Sequence, residues 1–297
     1  MVFFGKILAA VFAWGAYVVF RLAGWKHKTV LANAKHVASP VNYDELLLNL
    51  TRHAGELLFC FGTFKKLPCG FSAYPCCVDG WTFDIAEGSA PVLEKMRKGG
   101  IFLTAHYGNY EAMGPWLCRL GIPLVASYIP VKPKWLNNIL ERKIRAVDGL
   151  SYSVDARTPR DFLRILNDGK LFCLLSDQDS RIPSALPGTF LGKPVNVNPL
   201  PDFLLEHRPQ TPVFICWMEE ICGVRVLHAV EVERASFPGA AHLVSPAQSN
   251  GASPAQSSSS IVNTQFNKWL EQRILENPNL WYSWTHRRFY SSSPEIY

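Results

Sequence analysis

The residues best suited to chemistry are a histidine and a glutamate, His106 and Glu111, in the segment HYGNYE. An apolar run at 101–105 predicts a buried strand before the histidine, and a helix follows the segment. Gly108 permits a tight turn between them. Asn109 is placed to cap the helix, with Glu111 in its first turn. Because an imidazole is a usable base near neutral pH and a carboxylate can fix its tautomer, the spacing predicts a His106–Glu111 dyad that deprotonates an external hydroxyl.

The same segment also has a purely structural interpretation, in which a strand-end histidine binds backbone groups and the glutamate is an ordinary helix-start residue. Spacing alone does not separate the two. A second apolar strand, predicted at 171–176, ends in Asp177 and Gln178. Functional groups in α/β folds gather at the carboxyl ends of strands. We therefore expect Asp177 and Gln178 to line the same sheet edge as His106, with a simple turn as the alternative.

A basic segment lies between these two motifs. Residues 132–145 carry five lysines and arginines, including Arg145, against the single acid Glu141, which gives a net charge of +4. Ammonium and guanidinium groups bind phosphates and acidic proteins. The segment therefore favours an anionic ligand or partner, and a solvated helix face is the alternative.

Helical and strand patterns alternate along most of the chain. Helices are predicted at 42–66, 91–97, 110–120, 135–147, 159–167 and 262–276, strands at 101–105, 123–129, 171–176, 213–219 and 224–232, and a loop at 67–82. The alternation predicts an α/β fold with a mixed central sheet flanked by helices.

The N-terminus predicts a membrane anchor over residues 1–25, followed by one domain over 26–297. Residues 7–20 are uncharged and apolar between Lys6 and Arg21. A helix extended over 2–25 can cross the hydrocarbon core if both charged side chains reach outward, or it can lie in the interface. A secretory signal peptide is the alternative, although bulky residues occupy the expected cleavage position. Basic residues are more numerous after the run, which places the domain in the cytoplasm.

Composition limits the function classes. The chain has 297 residues, of which 48% are hydrophobic, enough to form a core and to exclude a disordered protein. Its net charge of +6 is too small and scattered to indicate nucleic-acid binding. The eight cysteines have neither CxxC nor zinc spacing, so we expect reduced thiols. Residues 236–260 are rich in Ser, Pro and Ala and predict a flexible insertion.

Taken in order, the motifs resemble those of a known family. They are the N-terminal anchor, TAHYGNYE (104–111), an N-x-x-L-to-R-x-x-x-G stretch (137–149), LSDQD (175–179), GTFLGKP (188–194) and WYSWTHRRF (281–289). The series resembles the late acyltransferases of lipid A biosynthesis, relatives of the lysophospholipid acyltransferases with a His-x4-Glu motif. The resemblance covers residues 1–235 and 262–290. The chain departs from the family pattern at Tyr110, where tryptophan is usual, at Leu191 and in the 236–260 insertion.

The resemblance implies a glycerolipid-acyltransferase-like fold and transfer of a fatty acyl chain to a hydroxyl of a phosphorylated glycolipid. The donor would be a thioester of acyl carrier protein, acting as co-substrate, and the site would be the cytoplasmic face of the bacterial inner membrane. His106 matches the family base and Glu111 its partner, whereas Arg145 and Asp177 match the family arginine and the first acid of the Asp-Gln pair. The expected substrate-binding residues are Asn109, Arg145, Asp177 and Gln178.

We expect no metal, no further cofactor and no nucleic-acid partner. Two alternatives remain open. The acceptor can be a glycerolipid or another glycolipid, or the protein can be a non-catalytic, membrane-docked lipid-binding protein.

Overall fold

The computed structural model describes residues 2–127, 132–148, 150–154, 158–233 and 261–297. These residues form an α/β fold with a mixed eight-stranded sheet flanked by helices, which confirms the predicted class. The insertion predicted at 236–260 lies outside the described residues. The same holds for the last residues of the strand predicted at 123–129.

The helices of the described segments are α1 (Val2–Leu22), α2 (His27–Val37), α3 (Tyr43–Phe59), α4 (Ser89–Met96), α5 (Tyr110–Arg119), α6 (Lys134–Ile139), α7 (Pro159–Asn167), α8 (Leu200–His207) and α9 (Ile261–Glu276). Local sequence signals fix several of their ends. The side chain of Asn42 caps α3 by accepting from the backbone of Asp44 and Glu45. Thr158 and Asp161 form a reciprocal capping box at the start of α7.

The strands are β1 (Cys76–Val78), β2 (Trp81–Ile85), β3 (Gly100–Thr104), β4 (Leu124–Ser127), β5 (Ala146–Val147), β6 (Leu150–Ser151), β7 (Ser153–Val154), β8 (Leu171–Leu175), β9 (Leu186–Phe190), β10 (Lys193–Val197), β11 (Val213–Ile221) and β12 (Val224–Glu231). The main sheet has the order β1-β2-β12-β11-β3-β8-β4-β7. Its centre is parallel, because β3 pairs in parallel with both β11 and β8.

The central strand β3 separates two hydrophobic cores. All five of its residues are buried. Ile101 and Leu103 belong to the core on one face of the sheet, and Phe102 belongs to the core on the other. A strand covered on both faces has no reason to alternate polar and apolar residues, which explains its continuous apolar sequence.

Several regions differ from the sequence prediction, and helices α2 and α8 were not predicted. The basic helix expected at 135–147 is α6, which is continued by a π-helical turn at Leu140–Ile144 and ends where the chain enters β5. The loop expected at 67–82 contains β1 and the start of β2. The hairpin β9–β10 was not predicted; its turn residues, Leu191 and Gly192, both have positive φ. The strands β1, β2, β9 and β10 were missed because they are short and their burial depends on neighbours distant in sequence.

Helix α1 packs along α3 and leaves a broad apolar face exposed. Phe4, Val11 and Trp14 are all more than 60% exposed, whereas Ala9 and Ala13 are buried against the domain. Lys6 donates from Nζ to the carbonyl oxygen of Gly80 at 3.0 Å. Within the described residues α1 is the one helix that is long and apolar enough to cross a membrane, a test that an N-terminal signal sequence also passes.

Close packing of α1 on α3 predicts that Gly55→Ala destabilises the protein. A Cβ at position 55 would lie 2.5 Å from the backbone oxygen of Ala9, so the helices must separate. An alanine in a helix normally stabilises by about 0.5–1 kcal/mol, but here we expect a net loss of about 1–3 kcal/mol from overpacking. Thermal unfolding in detergent measures the change.

Gly15→Ala is the matched control, since a Cβ on Gly15 in α1 would meet no atom within 4 Å. We expect this variant to melt at or above the wild-type temperature. Equal stability of the two variants would show that α1 does not pack on α3 as described.

Candidate active site

The register of the sheet brings His106 and Asp177 together. Strands β3 and β8 are parallel neighbours, with Thr104 opposite Leu175. His106 and Asp177 each follow two residues later, at the carboxyl edge of the sheet. His106 Nδ1 lies 2.9 Å from Asp177 Oδ1. The predicted meeting of these two side chains at one sheet edge is therefore observed.

The Asp177 carboxylate is fully buried and accepts four hydrogen bonds. Besides the ring of His106, its donors are the backbone N–H of His106 (3.1 Å), Trp281 Nε1 (2.9 Å) and Ser283 Oγ (2.6 Å). Such a set of donors stabilises the ionised form of a carboxylate. An ionised carboxylate can only accept, so Nδ1 of His106 carries the proton. The other nitrogen, Nε2, makes no hydrogen bond to any described residue, and 21% of the side chain is exposed.

The pKa values of the pair move in opposite directions. Burial alone would lower the pKa of His106, but the charge and hydrogen bond of Asp177, together with the charge of Glu111, more than offset it and raise this pKa above 6.5. Burial would raise the pKa of Asp177, yet His106 and the donors Ser283 and Trp281 hold it far below its ordinary value. The site therefore pairs a basic imidazole with a carboxylate that is ionised at neutral pH.

Glu111 does not hydrogen-bond to His106, contrary to the expected dyad. Its Oε1 accepts from Arg145 Nη2 at 2.8 Å, and both side chains are largely buried. Glu111 lies in the first turn of α5, and Arg145 follows the π-helical turn. The ion pair fixes Arg145, expected to bind substrate, on Glu111 in the first turn of α5. Glu111 acts on His106 only through its charge, which contributes to the raised pKa of the histidine.

Two other expected site residues have different surroundings. Asn109 precedes α5, but its side chain does not cap the helix. Its Nδ2 instead donates to Glu56 Oε2 at 2.9 Å. Gln178 follows Asp177 at the sheet edge, half-buried, and its side chain makes no hydrogen bond within the described part of the chain.

A C-terminal segment at 280–282 makes backbone hydrogen bonds to residues 106–108, the loop that carries His106. Tyr107 forms a backbone bridge with Trp281, the N–H of Tyr282 donates to the carbonyl of His106 at 2.8 Å, and that of Gly108 donates to Leu280 at 3.0 Å. Gly108 has φ +57°, and a Cβ there would lie 2.7 Å from the backbone oxygen of Met218. The turn therefore requires glycine, as the sequence indicated.

Trp281 and Ser283 are site residues that the sequence did not identify as such. In the sequence they belong only to the aromatic and basic motif WYSWTHRRF (281–289), and both residues are fully buried. The only sequence signal was the presence of hydrogen-bond donors in an aromatic stretch, since a buried indole N–H or hydroxyl needs a partner.

Ser283→Ala is expected to destabilise the protein by about 1–3 kcal/mol, because a buried carboxylate loses its shortest hydrogen bond. With one donor fewer, the pKa of Asp177 should rise toward its ordinary value. Chemical unfolding at neutral pH measures the first effect. Thr285→Ala is a suitable control, since its hydroxyl donates only to a nearby backbone carbonyl; a similar loss in both variants would argue against a special role for Ser283.

Comparison of the chain with protein-family models and with curated proteins gives no match. Among the described residues, no cluster of three or more His, Cys, Asp or Glu side chains could hold a metal ion. The arrangement in the structure is a histidine with one nitrogen free of hydrogen bonds to the described residues, oriented by a buried carboxylate. Chemically it can remove a proton from a hydroxyl and return it to a leaving group.

Proposed function

We propose that the protein is a membrane-associated acyltransferase with a glycerolipid-acyltransferase-like fold. It would move a fatty acyl chain from acyl carrier protein to a hydroxyl of a lipid A precursor. The observation that carries the proposal is the His106–Asp177 pair, with Nδ1 bonded to a buried carboxylate and Nε2 open. The ordered motifs support the choice of reaction.

In this mechanism, His106 Nε2 takes the proton of the acceptor hydroxyl as its oxygen attacks the thioester carbonyl carbon. The imidazolium is stabilised by Asp177, which stays ionised throughout. When the carbon–sulfur bond breaks, the imidazolium returns the proton to the departing thiolate. One ester forms, one thioester is consumed, and the histidine ends in its starting state. General-base assistance of this kind is worth about 10²–10⁴ in rate.

The Glu111–Arg145 pair supports the same site. Glu111 raises the pKa of His106 by its charge, and Arg145 provides a guanidinium that is paired with this same glutamate. We assign Arg145 to the acceptor phosphate, for which a planar guanidinium is well suited. Lys132, Lys134 and Arg142 are exposed and are proposed to meet the acidic acyl carrier protein.

The exposed apolar face of α1 supports attachment to a membrane. Phe4, Val11 and Trp14 on this helix would enter the lipid, while Lys6 and Arg21 lie toward its two ends. We place the catalytic domain on the cytoplasmic face of the bacterial inner membrane, where acyl carrier protein thioesters are available.

Incubation of the purified protein with acyl carrier protein thioesters and a panel of lipid acceptors tests the proposal. The acceptors are a lipid A precursor, a lysophospholipid and a neutral glycolipid, and mass spectrometry reads the products. We expect the lipid A precursor to gain one acyl chain. Acylation of only the lysophospholipid or the neutral glycolipid would move the function to that acceptor. Binding of lipid without transfer from any thioester would favour a non-catalytic lipid-binding protein.

A further inference from the structure

A polar cavity lies beside the loop that carries His106. Its volume is about 260 Å³, and its lining includes Gly108 and Asn109 of the loop together with His53 of α3. Neither His106 nor Tyr110 lines it. The ring of Tyr110 contacts both histidines, with centroids 4.9 Å from His106 and 5.1 Å from His53. A ligand in this cavity would therefore contact the loop without touching the proposed base.

His53 presents two unused nitrogens at this cavity. The side chain is only 7% exposed, and neither Nδ1 nor Nε2 has a hydrogen-bond partner. The side chain of Asn109 lies close to the ring and favours its protonated form, while Nδ2 of the same side chain donates to Glu56 at 2.9 Å. Burial lowers the pKa of His53 to about 4, so at neutral pH the ring has one donor and one acceptor. Leaving both unpaired in a buried site is costly.

Arg225 adds an unused donor to the same cavity. This guanidinium is 5% exposed, stacks on Trp81 at 3.6 Å and donates from Nη2 to Glu56 at 2.8 Å. Its Nη1 has no hydrogen-bond partner. The cavity thus offers a donor from Arg225 and both a donor and an acceptor from His53.

The charges around the cavity restrict the ligand further. Four carboxylates and two guanidiniums line it: Glu45, Glu56, Glu219, Glu220, Arg52 and Arg225. A phosphate would face more negative than positive groups. An ammonium ion has no lone pair to accept from Arg225 Nη1. A hydroxyl both donates and accepts, so it can satisfy the arginine, the neutral histidine and the carboxylates together.

We propose that this cavity binds a neutral polyhydroxylated ring, a single sugar or cyclitol. Its volume is below the range of drug-sized pockets, which fits one small ring. Tyr282 also lines the cavity and supplies an aromatic surface against which a ring can pack. The site goes beyond the proposed function, because the acceptor of acyl transfer must reach His106 Nε2 and this ligand does not. Its contacts with Gly108 and Asn109 steady the loop that holds the base.

Saturation-transfer NMR and calorimetry on the full chain in detergent test the proposal, with glucose and myo-inositol as probes and with inorganic phosphate and ethanolamine as charged comparisons. We expect glucose or inositol to bind and neither charged probe to compete. His53→Phe keeps a ring between Tyr110 and Tyr282 and removes both nitrogens. We expect it to weaken polyol binding at least about tenfold, since two hydrogen bonds are lost.

Glu220→Gln is the second variant, because this side chain is half-exposed, lies 3.9 Å from Arg225 Nε and keeps an acceptor oxygen as glutamine. We expect binding about threefold to tenfold weaker, whereas His106→Ala should bind the polyol as the wild type does. Absence of polyol binding to the wild type, equal binding by His53→Phe, or preference for phosphate or ethanolamine would overturn the proposal. The assay contains no acyl donor, so its outcome is independent of the acyl transfer proposed for His106, which the assay with acyl carrier protein thioesters tests separately.

Discussion

Substitution of His106 by alanine is expected to lower acyl transfer by about 10²–10⁴-fold, because the acceptor hydroxyl loses its proposed general base. The effect should fall on kcat, since removal of the proton matters in the transition state more than in binding. Transfer is followed by the mass of the acylated acceptor. Three donors to Asp177 remain in the variant, namely the backbone N–H at position 106, Trp281 and Ser283. Its fold should therefore survive, which circular dichroism and thermal unfolding check.

His286→Ala is the matched control for this variant. The ring of His286 stacks beside that of His106 with centroids 6.3 Å apart, but it makes no hydrogen bond to Asp177. We expect this variant to retain transfer within a few-fold of the wild type. Full turnover by His106→Ala, or equal losses in both variants, would contradict the assignment of His106 as the base.

Asp177→Asn is expected to lower transfer by a similar factor and to change its pH dependence. Without the charge of Asp177, the burial of His106 is no longer offset, so its pKa falls below its wild-type value. Since the neutral imidazole is the active form, the rising limb of the pH–rate profile should move to lower pH while its plateau drops. Glu111→Gln should move the limb in the same direction by less, because Glu111 acts only through its charge.

Asp177→Asn should also lower the free energy of unfolding. Breaking a buried ion pair by removing one partner costs about 3–5 kcal/mol. In the wild type, the depressed pKa of Asp177 contributes stability that is present above the unfolded-state value of about 4 and is lost as the pH falls below it. The raised pKa of His106 contributes stability that is present below about pH 6.5 and is lost as the pH rises through the folded-state value. Asp177→Asn should remove both contributions. A pH–stability curve parallel to that of the wild type would contradict the pairing.

The sequence predicted the fold class and the sheet edge, but it assigned the wrong carboxylate to the histidine. The apolar runs that become β3 and β8 are local signals, and so are the polar residues that end them. Which of Glu111 and Asp177 bonds to the histidine depends on the register between β3 and β8. That register brings together His106 and Asp177, which are 71 residues apart in sequence. Glu111 was available locally, yet Arg145, a residue 34 positions away, pairs with it. No pattern within a single segment contains that information.

The hydrogen bonds of Trp281 and Ser283 to Asp177 also depend on contacts between residues that are distant in sequence. Each donor lies more than 100 residues from the carboxylate, and the contact exists because the C-terminal segment pairs with the histidine loop through Tyr107. The sequence showed buried aromatic residues but not which polar group they would enclose. Long-range pairing of this kind, and not local propensity, determines the electrostatics of the site.

Titration of His106 by NMR, using the ring nitrogens of labelled histidine in the wild-type protein, tests the central claim most directly. The account predicts a pKa above 6.5 and a neutral form with its proton on Nδ1, so that Nε2 gains and loses the proton. A pKa at or below 6.5, or a neutral ring protonated on Nε2, would contradict a base oriented by Asp177.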